Sequence, residues 1–250
     1  MMSDDPLPGL FWFAITRLGE SEILLPAFMA AALWLALAHP ALARSAGWTG
    51  DARAHPVRAE AWRWLAGIVG GTAVTTASKI AFLGFGIGSA TLDFTGFSGH
   101  SMYSMAVFPV LFAIVFGRGG ALCGAVLALI VMVSRVLTGA HSWSEAISGM
   151  ALGAAIAAWP LVLYLRHPSA VRAPWWLPAV LAAWLILVPW RGPPSHSHQL
   201  VLALSLKLSG RTQPYTRHEL LHGEIHRLAA AVDSAEGLDP DQPAMQAKRE

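Results

Sequence analysis

The sequence has little charge and almost no cysteine. Charged residues make up 13% of the 250 positions and hydrophobic residues 55%, whereas about a quarter of an average soluble domain is charged. This shortage of charge argues against a soluble domain and indicates a polytopic membrane protein. The single cysteine, Cys123, excludes an internal disulfide. It lies in an apolar run, where we expect a small core or lipid-facing residue.

Dense basic clusters are also missing. The formal net charge is +2, and no run of lysine and arginine is dense enough to predict a nucleic-acid partner. No basic segment precedes the first apolar run, so we expect the N-terminus to be retained rather than cleaved as a signal peptide. The expected partner of such a chain is the lipid bilayer.

The apolar runs predict an all-α fold, a bundle of six transmembrane helices. Residues 8–18 are apolar but too few to cross about 30 Å of hydrocarbon, so they predict an extra N-terminal interfacial helix. A tight turn beginning at Gly117 separates the third span from the fourth. The six predicted spans are residues 23–38, 61–85, 101–116, 121–136, 141–165 and 175–190.

This pattern divides the chain into three parts. Residues 1–22 form an N-terminal interfacial segment, residues 23–190 the six-span membrane domain, and residues 191–250 a polar C-terminal tail. The composition of the tail favours disorder in about its last twenty residues. Its two closely spaced histidines, His196 and His198, are interpreted as solvated tail rather than as metal ligands.

The basic residues predict the orientation of the spans. They concentrate in the segment 39–60, at Arg118 and in the turn 166–172, so these parts should face the cytoplasm. The loop 86–100 and the turn 137–141 then lie together on the outer face, with both termini. Fourteen arginines against three lysines, together with abundant alanine, suggest a bacterium. The expected location is therefore the bacterial inner membrane.

A few ionisable side chains interrupt the apolar sequence between Trp64 and Leu165. Such groups among membrane spans are costly and usually mark a site. Arg118 falls on the predicted cytoplasmic face and is assigned to topology, and Asp93 is interpreted mainly as a solubilising loop residue. The remaining five fall at span ends on the opposite face: Lys79, His100, Arg135, His141 and Glu145.

The cations among these residues suit a phosphate ester. Lys79 and Arg135 can supply positive charge to the phosphate oxygens, Arg135 in a bidentate manner. The turn at Ser98 and Gly99 opens a predicted helix, and backbone N–H groups at a helix start bind anions. The alternatives are a Lys79 that reaches for the lipid headgroups and a Ser98 that merely caps its helix.

The histidines suit nucleophilic and acid–base catalysis. With two of them, one can attack phosphorus while the other protonates the leaving alkoxide. Glu145 lies four residues after His141, where it can hold the Nδ1 proton and present Nε2 as the nucleophile. The alternative is a structural ion pair among Arg135, His141 and Glu145 that holds helices together.

These residues resemble the type-2 phosphatidate phosphatases, or lipid phosphate phosphatases, which share their site with the vanadium haloperoxidases. The family has three motifs: Lys-x6-Arg-Pro, Pro-Ser-Gly-His and Ser-Arg-x5-His-x3-Asp. The resemblance covers about residues 60–165. The third motif is matched in spacing by Ser134, Arg135, His141 and Glu145, the second by Phe97-Ser98-Gly99-His100, and the first by Lys79 alone.

The resemblance implies a role for each matched residue. It implies that His141 becomes transiently phosphorylated, that His100 is the general acid, and that Glu145 orients His141. The family mechanism requires no metal and no other cofactor. The residues that the resemblance assigns to phosphate binding are Lys79, Ser98, Gly99 and Arg135.

The chain departs from the family pattern at three places. Gly86-Ile87 stands where the first motif has Arg-Pro, so that one phosphate-binding cation is absent. Phe97 replaces the proline of the second motif, and Glu145 replaces the aspartate of the third. The Glu145 change keeps the charge and adds one methylene, whereas the missing arginine removes a charge.

The expected function is metal-independent hydrolysis of a phosphomonoester or diphosphate of a lipid. A site between helix ends at headgroup level can receive a phosphate while the lipid chain stays in the bilayer. The candidate substrates are phosphatidate, phosphatidylglycerol phosphate, undecaprenyl diphosphate and lipid A phosphate. The alternatives are a lipid phosphotransferase that uses the same site and a non-catalytic membrane protein with a relict site.

Overall fold

The computed structural model describes residues 6–37, 56–166 and 197–223, together with positions 179, 180, 183, 184 and 187. Its regular elements are helices, and the one β-bridge, between Ser89 and Phe94, is isolated in a loop. The predicted all-α class is therefore confirmed for these residues. The helices are α1 (Pro6–Arg17), α2 (Ser21–Leu37), α3 (Pro56–Phe85), α4 (Gly99–Leu137), α5 (Trp143–Arg166), α6 (Ser197–Ser209) and α7 (217–223).

Three of the described helices are long and apolar enough to cross a membrane: Ala61–Phe85, Gly99–Leu137 and Trp143–Val162. The first of these has the predicted bounds of the second span. Helix α2, where the first span was predicted, has 17 residues and is about 25 Å long at 1.5 Å per residue. These are fewer spans than the six predicted, so that number stays a prediction.

Several predicted features lie largely outside the described residues. They are the sixth span at 175–190, the turn 166–172, most of the loop 39–60, and the last residues of the tail from 224 onwards. Within the predicted sixth span the five described positions are helical. One of them, Trp184, donates its indole N–H to the carbonyl of Ile23 at 3.0 Å, which places it against α2.

Helix α4 reverses direction at Gly117. The backbone there has φ +72° and ψ −155°, a conformation open to glycine but not to residues with a Cβ. Gly120 and Gly124 then lie directly against the carbonyls of Phe112 and Phe108, so the two arms of α4 pack antiparallel. The predicted turn is confirmed. Each arm is roughly 27–30 Å long, the thickness of the hydrocarbon layer.

The core lies where α2, α3 and α4 meet. Trp64 of α3 is 1% exposed, and its indole N–H donates to the carbonyl of Ala106 on α4 at 2.9 Å. Its ring meets Phe28 of α2 edge to face, with centroids 4.7 Å apart, and such a pair contributes about 0.5–1.5 kcal/mol beyond burial. These contacts hold three helices in register.

The outer faces of the helices carry large apolar side chains. Val69, Leu122 and Ile147 are each more than half exposed. In water such a surface would be costly, whereas in a bilayer it meets hydrocarbon. Together with the long apolar helices, this surface indicates that the protein is associated with a membrane.

The described part of the C-terminal tail packs on the end of α3. Ser205 of α6 is buried, and its carbonyl lies against Gly84. Further along, the N–H of Tyr215 donates to the carbonyl of Leu83 at 2.9 Å. Residues 197–223 are thus part of the folded bundle, whereas the sequence predicted a polar tail with an amphipathic patch at residues 200–208. The difference arises because a few small and aromatic residues suffice to dock a short segment on an existing helix end.

Candidate active site

A cavity of about 360 Å³ lies between the ends of α3, α4 and α5, with α6 on one side. Its far end is lined by hydroxyl groups, with Thr72 Oγ1 and the Tyr103 hydroxyl 2.8 Å apart. Six of the seven predicted site residues line this one cavity. They are Lys79, Gly99, His100, Arg135, His141 and Glu145.

His141 precedes α5 rather than opening it, because the helix begins only at Trp143. The predicted contact with Glu145 nevertheless forms, and Nδ1 of His141 lies 2.7 Å from Oε2 of Glu145. Ser142 explains the geometry. Its hydroxyl accepts from the N–H of Glu145, and its own N–H donates to Oε2, both at 3.3 Å. This reciprocal pair is a capping box, which turns the carboxylate back towards His141.

The carboxylate of Glu145 is fully buried and accepts from five donors. Oε1 accepts from the N–H of Thr95 at 2.7 Å and from the hydroxyl of the same residue. Oε2 accepts from His141 and Ser142, as described, and from Nη2 of Arg217 at 2.8 Å. A carboxylate with this many donors is held as the anion, so the proton on Nδ1 stays with His141.

Burial lowers the pKa of His141 below its ordinary value of 6.5, and the positive charges of Lys79 and Arg135 lower it further. The hydrogen bond to Glu145 opposes this by raising the pKa, and the lowering is the larger effect. The ring is therefore neutral near pH 7. Because Nδ1 carries the proton that faces Glu145, Nε2 holds the lone pair, as a nucleophile requires.

Arg135 lies near the end of α4 and enters the cavity with part of its hydrogen-bonding capacity unused. Nη1 donates to the hydroxyl of Thr16 at 2.9 Å, whereas Nε is buried and has no partner among the described residues. A buried guanidinium N–H without a partner is costly. Arg135 lines the cavity, so an anionic group bound there would meet its positive charge.

Ser98 is completely buried behind the cavity and caps α4. Its hydroxyl accepts from the N–H and the hydroxyl of Ser101, and its own N–H donates to the carbonyl of Glu145 at 3.1 Å. The structure thus places Ser98 in the role of the helix cap, the alternative considered from the sequence. The bond to Glu145 also joins the end of the loop 86–100 to the first turn of α5.

Phe97 stands in place of the motif's proline, and its backbone N–H, which proline lacks, makes a hydrogen bond. Its backbone N–H donates to the hydroxyl of Ser78 at 3.1 Å, a bond that no proline could make. Ser78 lies on α3 one residue before Lys79. The substitution therefore links the start of α4 to the part of α3 that carries the predicted phosphate-binding lysine.

Gly86, which stands in place of an arginine, ends α3. Its φ of +70° is left-handed, and its N–H donates to the carbonyl of Phe82 at 2.8 Å, which is a helix-ending cap that favours glycine. A Cβ at this position would lie 3.1 Å from the ring of Tyr215. Both the backbone and the C-terminal segment therefore oppose an arginine here.

Sequence reasoning missed three residues that contact the predicted site: Thr16, Thr95 and Arg217. Thr16 and Arg217 lie far from the motifs in sequence, and no local pattern marks them. The capping box Ser-x-x-Glu at Ser142 was readable and would have placed the start of α5 one residue after it.

Three other polar residues were assigned to the loop or the tail. Asp93, assigned to loop solubility, pairs with Arg217 at 3.0 Å. His198 is exposed but lines the cavity, and His196 lies outside the described residues.

The matches to known proteins agree with the motif spacing. Residues 71–169 match the model of the PAP2 superfamily, and this stretch contains all seven predicted site residues. The chain belongs to the PAP2 superfamily. Members of the PAP2 superfamily are phosphatases, and this membership indicates phosphatase activity on phosphate esters.

A bacterial relative matches over most of both chains. The "uncharacterized 22.5 kDa protein in cps region" of Klebsiella pneumoniae is 34% identical over 218 residues, which cover 84% of this chain and 97% of the relative. No solved structure matches the chain significantly. The similarity to this relative thus extends well beyond residues 71–169.

Proposed function

We propose that the protein is a lipid phosphatase that works through a phosphohistidine at His141. The observation that carries the proposal is one cavity that contains both an oriented histidine and a cation that can bind phosphate. His141 is held by Glu145 through Nδ1, and Arg135 carries a buried N–H without an acceptor among the described residues. A relict site would have no reason to keep this uncompensated donor beside an oriented imidazole.

In the first step, Nε2 of His141 attacks phosphorus and the bond to the leaving oxygen breaks. The leaving alkoxide, or phosphate in a diphosphate, takes a proton from His100. His141 then carries the phosphoryl group and a positive charge, which the anionic Glu145 stabilises. In the second step His100 takes a proton from water, the hydroxide attacks phosphorus, and inorganic phosphate leaves as His141 is restored.

The other residues of the cavity bind the phosphate oxygens in this scheme. Arg135 offers its guanidinium, Lys79 adds a second positive charge, and Gly99 offers a backbone N–H at the first turn of α4. Ser98 contributes by capping that turn. This set lacks the first-motif arginine, because Gly86 stands at that position.

The setting of the cavity supports a lipid substrate. Trp143, two residues after His141, is 52% exposed, and Phe85 at the end of α3 is 53% exposed. Exposed aromatic rings at the ends of apolar helices are typical of the membrane interface. A phosphate in the cavity would then lie at headgroup depth, with the attached chain in the bilayer. We place this interface on the outer face of a bacterial inner membrane.

The decisive experiment measures phosphate release by the purified protein in detergent, with a chelator present. The panel contains phosphatidate, phosphatidylglycerol phosphate, undecaprenyl diphosphate and lipid A phosphate, and a water-soluble phosphate ester serves as the control. We expect release from at least one lipid at a rate well above that of the soluble ester. Transfer of label to a second lipid without free phosphate would contradict hydrolysis, and no release from any lipid would contradict the proposal.

The outer-face location predicts a labelling pattern in intact cells. In a Cys123→Ser background, we expect Thr91→Cys, in the loop beside the site, to react with a membrane-impermeant thiol reagent. Thr49→Cys, in the predicted cytoplasmic loop, should react only after the cells are opened. The reverse pattern would place the site on the cytoplasmic face and exclude an exported lipid as the substrate.

A further inference from the structure

The C-terminal arm, residues 210–223, returns to the mouth of the site. It follows α6, and Tyr215 docks it on the end of α3 through the bond to Leu83 and the contact with Gly86. The arm continues into α7, whose first residue is Arg217. Glu219 caps α7 by accepting from the N–H of Thr216 at 2.7 Å, which fixes where the helix begins.

Arg217 bridges two acidic residues that are far from it in sequence. Nη2 donates to Oε2 of Glu145 at 2.8 Å and Nη1 to Oδ2 of Asp93 at 3.0 Å. The side chain is 35% exposed, whereas that of Glu145 is fully buried. Asp93 has a φ of +46°, an unfavourable backbone conformation for a residue with a Cβ. In this conformation the loop presents the carboxylate of Asp93 to Arg217.

Arg217 approaches Glu145 from outside the cavity. It does not line the cavity, whereas Glu145 and His141 do. Oε2 is therefore shared between the imidazole on the cavity side and the guanidinium on the arm side. Moving the guanidinium away would leave Oε2 with two donors, His141 and Ser142.

We propose that Arg217 is a positioning residue. It holds the carboxylate of Glu145 and thereby acts on His141, and it does not act on the substrate. The guanidinium fixes the rotamer of Glu145 and offsets part of its charge. The proposal rests on the function proposed above, because it takes His141 as the nucleophile.

Charge accounts for the second part of this role. His141 faces Glu145 on α5, Lys79 on α3, and Arg135 and His100 on α4, and Arg217 lies behind Glu145. A cation beside Glu145 weakens the pull of that carboxylate on the imidazole proton. Removing the cation therefore makes protonated His141 more stable, and the neutral nucleophile is then lost at a higher pH than in the wild type.

The test compares Arg217→Gln with Arg211→Gln in the full-length protein. Arg211 belongs to the same arm, but it is exposed and lies 3.9 Å above the ring of Tyr215, away from Glu145. We expect Arg217→Gln to lower kcat by about tenfold to a hundredfold, the effect of a small misplacement of a catalytic group, with KM nearly unchanged. The acid limb of the pH–rate profile should move to higher pH. Arg217→Lys should recover most of the lost kcat, and Arg211→Gln should behave as wild type.

Equal kcat values in the two glutamine variants would overturn the proposal. So would a raised KM with an unchanged kcat, since that result would place Arg217 on the phosphate. If Arg217→Gln does not fold, Asp93→Asn frees one end of Arg217 without removing its charge. A lower kcat at nearly constant KM is then expected for Asp93→Asn, and a wild-type kcat in that variant would overturn the proposal.

A measurement without substrate separates this proposal from the function on which it rests. In protein with ¹⁵N-labelled histidine, the spectrum of His141→Ala identifies the His141 signals. We expect those signals to titrate at higher pH in Arg217→Gln than in wild type or Arg211→Gln. This shift without any phosphatase activity would leave the positioning role intact and reject the proposed function. The same titration in all three proteins would reject the positioning role.

Discussion

The anionic and cationic sides of the cavity differ in how far their hydrogen bonds are satisfied. On the anionic side, Glu145 accepts from five donors on four residues. On the cationic side, Arg135 donates to Thr16, and its buried Nε has no partner among the described residues. The hydrogen bonds of the carboxylate are satisfied without a ligand, whereas those of the guanidinium are not satisfied by the described residues.

This difference suggests separate roles: the carboxylate of Glu145 is held in place, and the guanidinium of Arg135 binds the phosphate. A saturated carboxylate cannot rotate towards a substrate, so it serves to hold His141 in one tautomer and one orientation. An unsaturated buried cation favours the arrival of an anion. We therefore expect substitutions on the Glu145 side to lower kcat and those on the Arg135 side to raise KM. The predictions below test this division.

The largest effect is expected for His141→Ala. The nucleophile is lost, so turnover should fall below the detection limit while expression and folding are retained, because the ring lies in the turn before α5 rather than in the core. His222→Ala is a matched control, since that ring is exposed and stacks on His218. Residual activity of more than a few per cent would remove His141 from the nucleophilic role.

Glu145→Gln should lower kcat by about 10²- to 10⁴-fold with little change in KM, as loss of an orienting acid does in catalytic triads. Glu145→Asp keeps the charge and should retain substantial activity. Thermal unfolding is measured alongside kcat for both variants. If Glu145 is only structural, the Gln variant will melt at a lower temperature with a near-normal kcat, because an uncompensated buried charge costs about 3–5 kcal/mol.

The pH dependence follows from the lowered pKa of His141, whose main cause is burial. The nucleophile must be neutral, so kcat/KM should fall as the pH drops through that pKa. Because the pKa is lowered, the acid limb should lie below pH 6.5. The check is kcat/KM across the acid range in buffers of constant ionic strength. A limb above pH 6.5 would mean that the pull of Glu145 on the proton exceeds the effect of burial.

Thr16→Val should have the smallest effect, and it tests the cationic side. Valine keeps the shape of this buried side chain but removes the acceptor of Arg135 Nη1. One hydrogen bond of this kind contributes about 0.5–1.5 kcal/mol, so we expect KM to change by roughly twofold to tenfold with kcat nearly constant. A fall in kcat at constant KM would contradict the division between the two sides.

The sequence predicted the site best where its residues are close together. The spacing from Arg135 to Glu145 fixes a helix end, a turn and a helix start, so the contact between His141 and Glu145 could be foreseen. The reversal at Gly117 was also readable, because only glycine adopts that backbone conformation easily. The start of α5 was placed too early because the cap at Ser142 was overlooked.

The contacts of Thr16 and Arg217 could not be foreseen, because they depend on how distant segments pack. Thr16 reaches Arg135 across 119 positions of sequence and Arg217 reaches Glu145 across 72. A composition dominated by polar residues predicted a solvated tail for the segment that carries Arg217. That segment is docked by the ring of Tyr215 over Gly86, by a backbone hydrogen bond to Leu83 and by the bonds of Arg217, and hydropathy does not register such contacts.

The hydrogen bonds of Thr16 and Arg217 also set the order in which the site can be completed during synthesis. Thr16 is made before the helices of the cavity, and Arg217 is made after all the described spans. A nascent chain that has inserted α3, α4 and α5 holds His141, Glu145 and Arg135, but its carboxylate still lacks one donor. On ribosomes that add about 5–20 residues per second, the interval from Glu145 to Arg217 lasts several seconds. The newly inserted bundle therefore spends that time in the membrane before the bond to Arg217 forms.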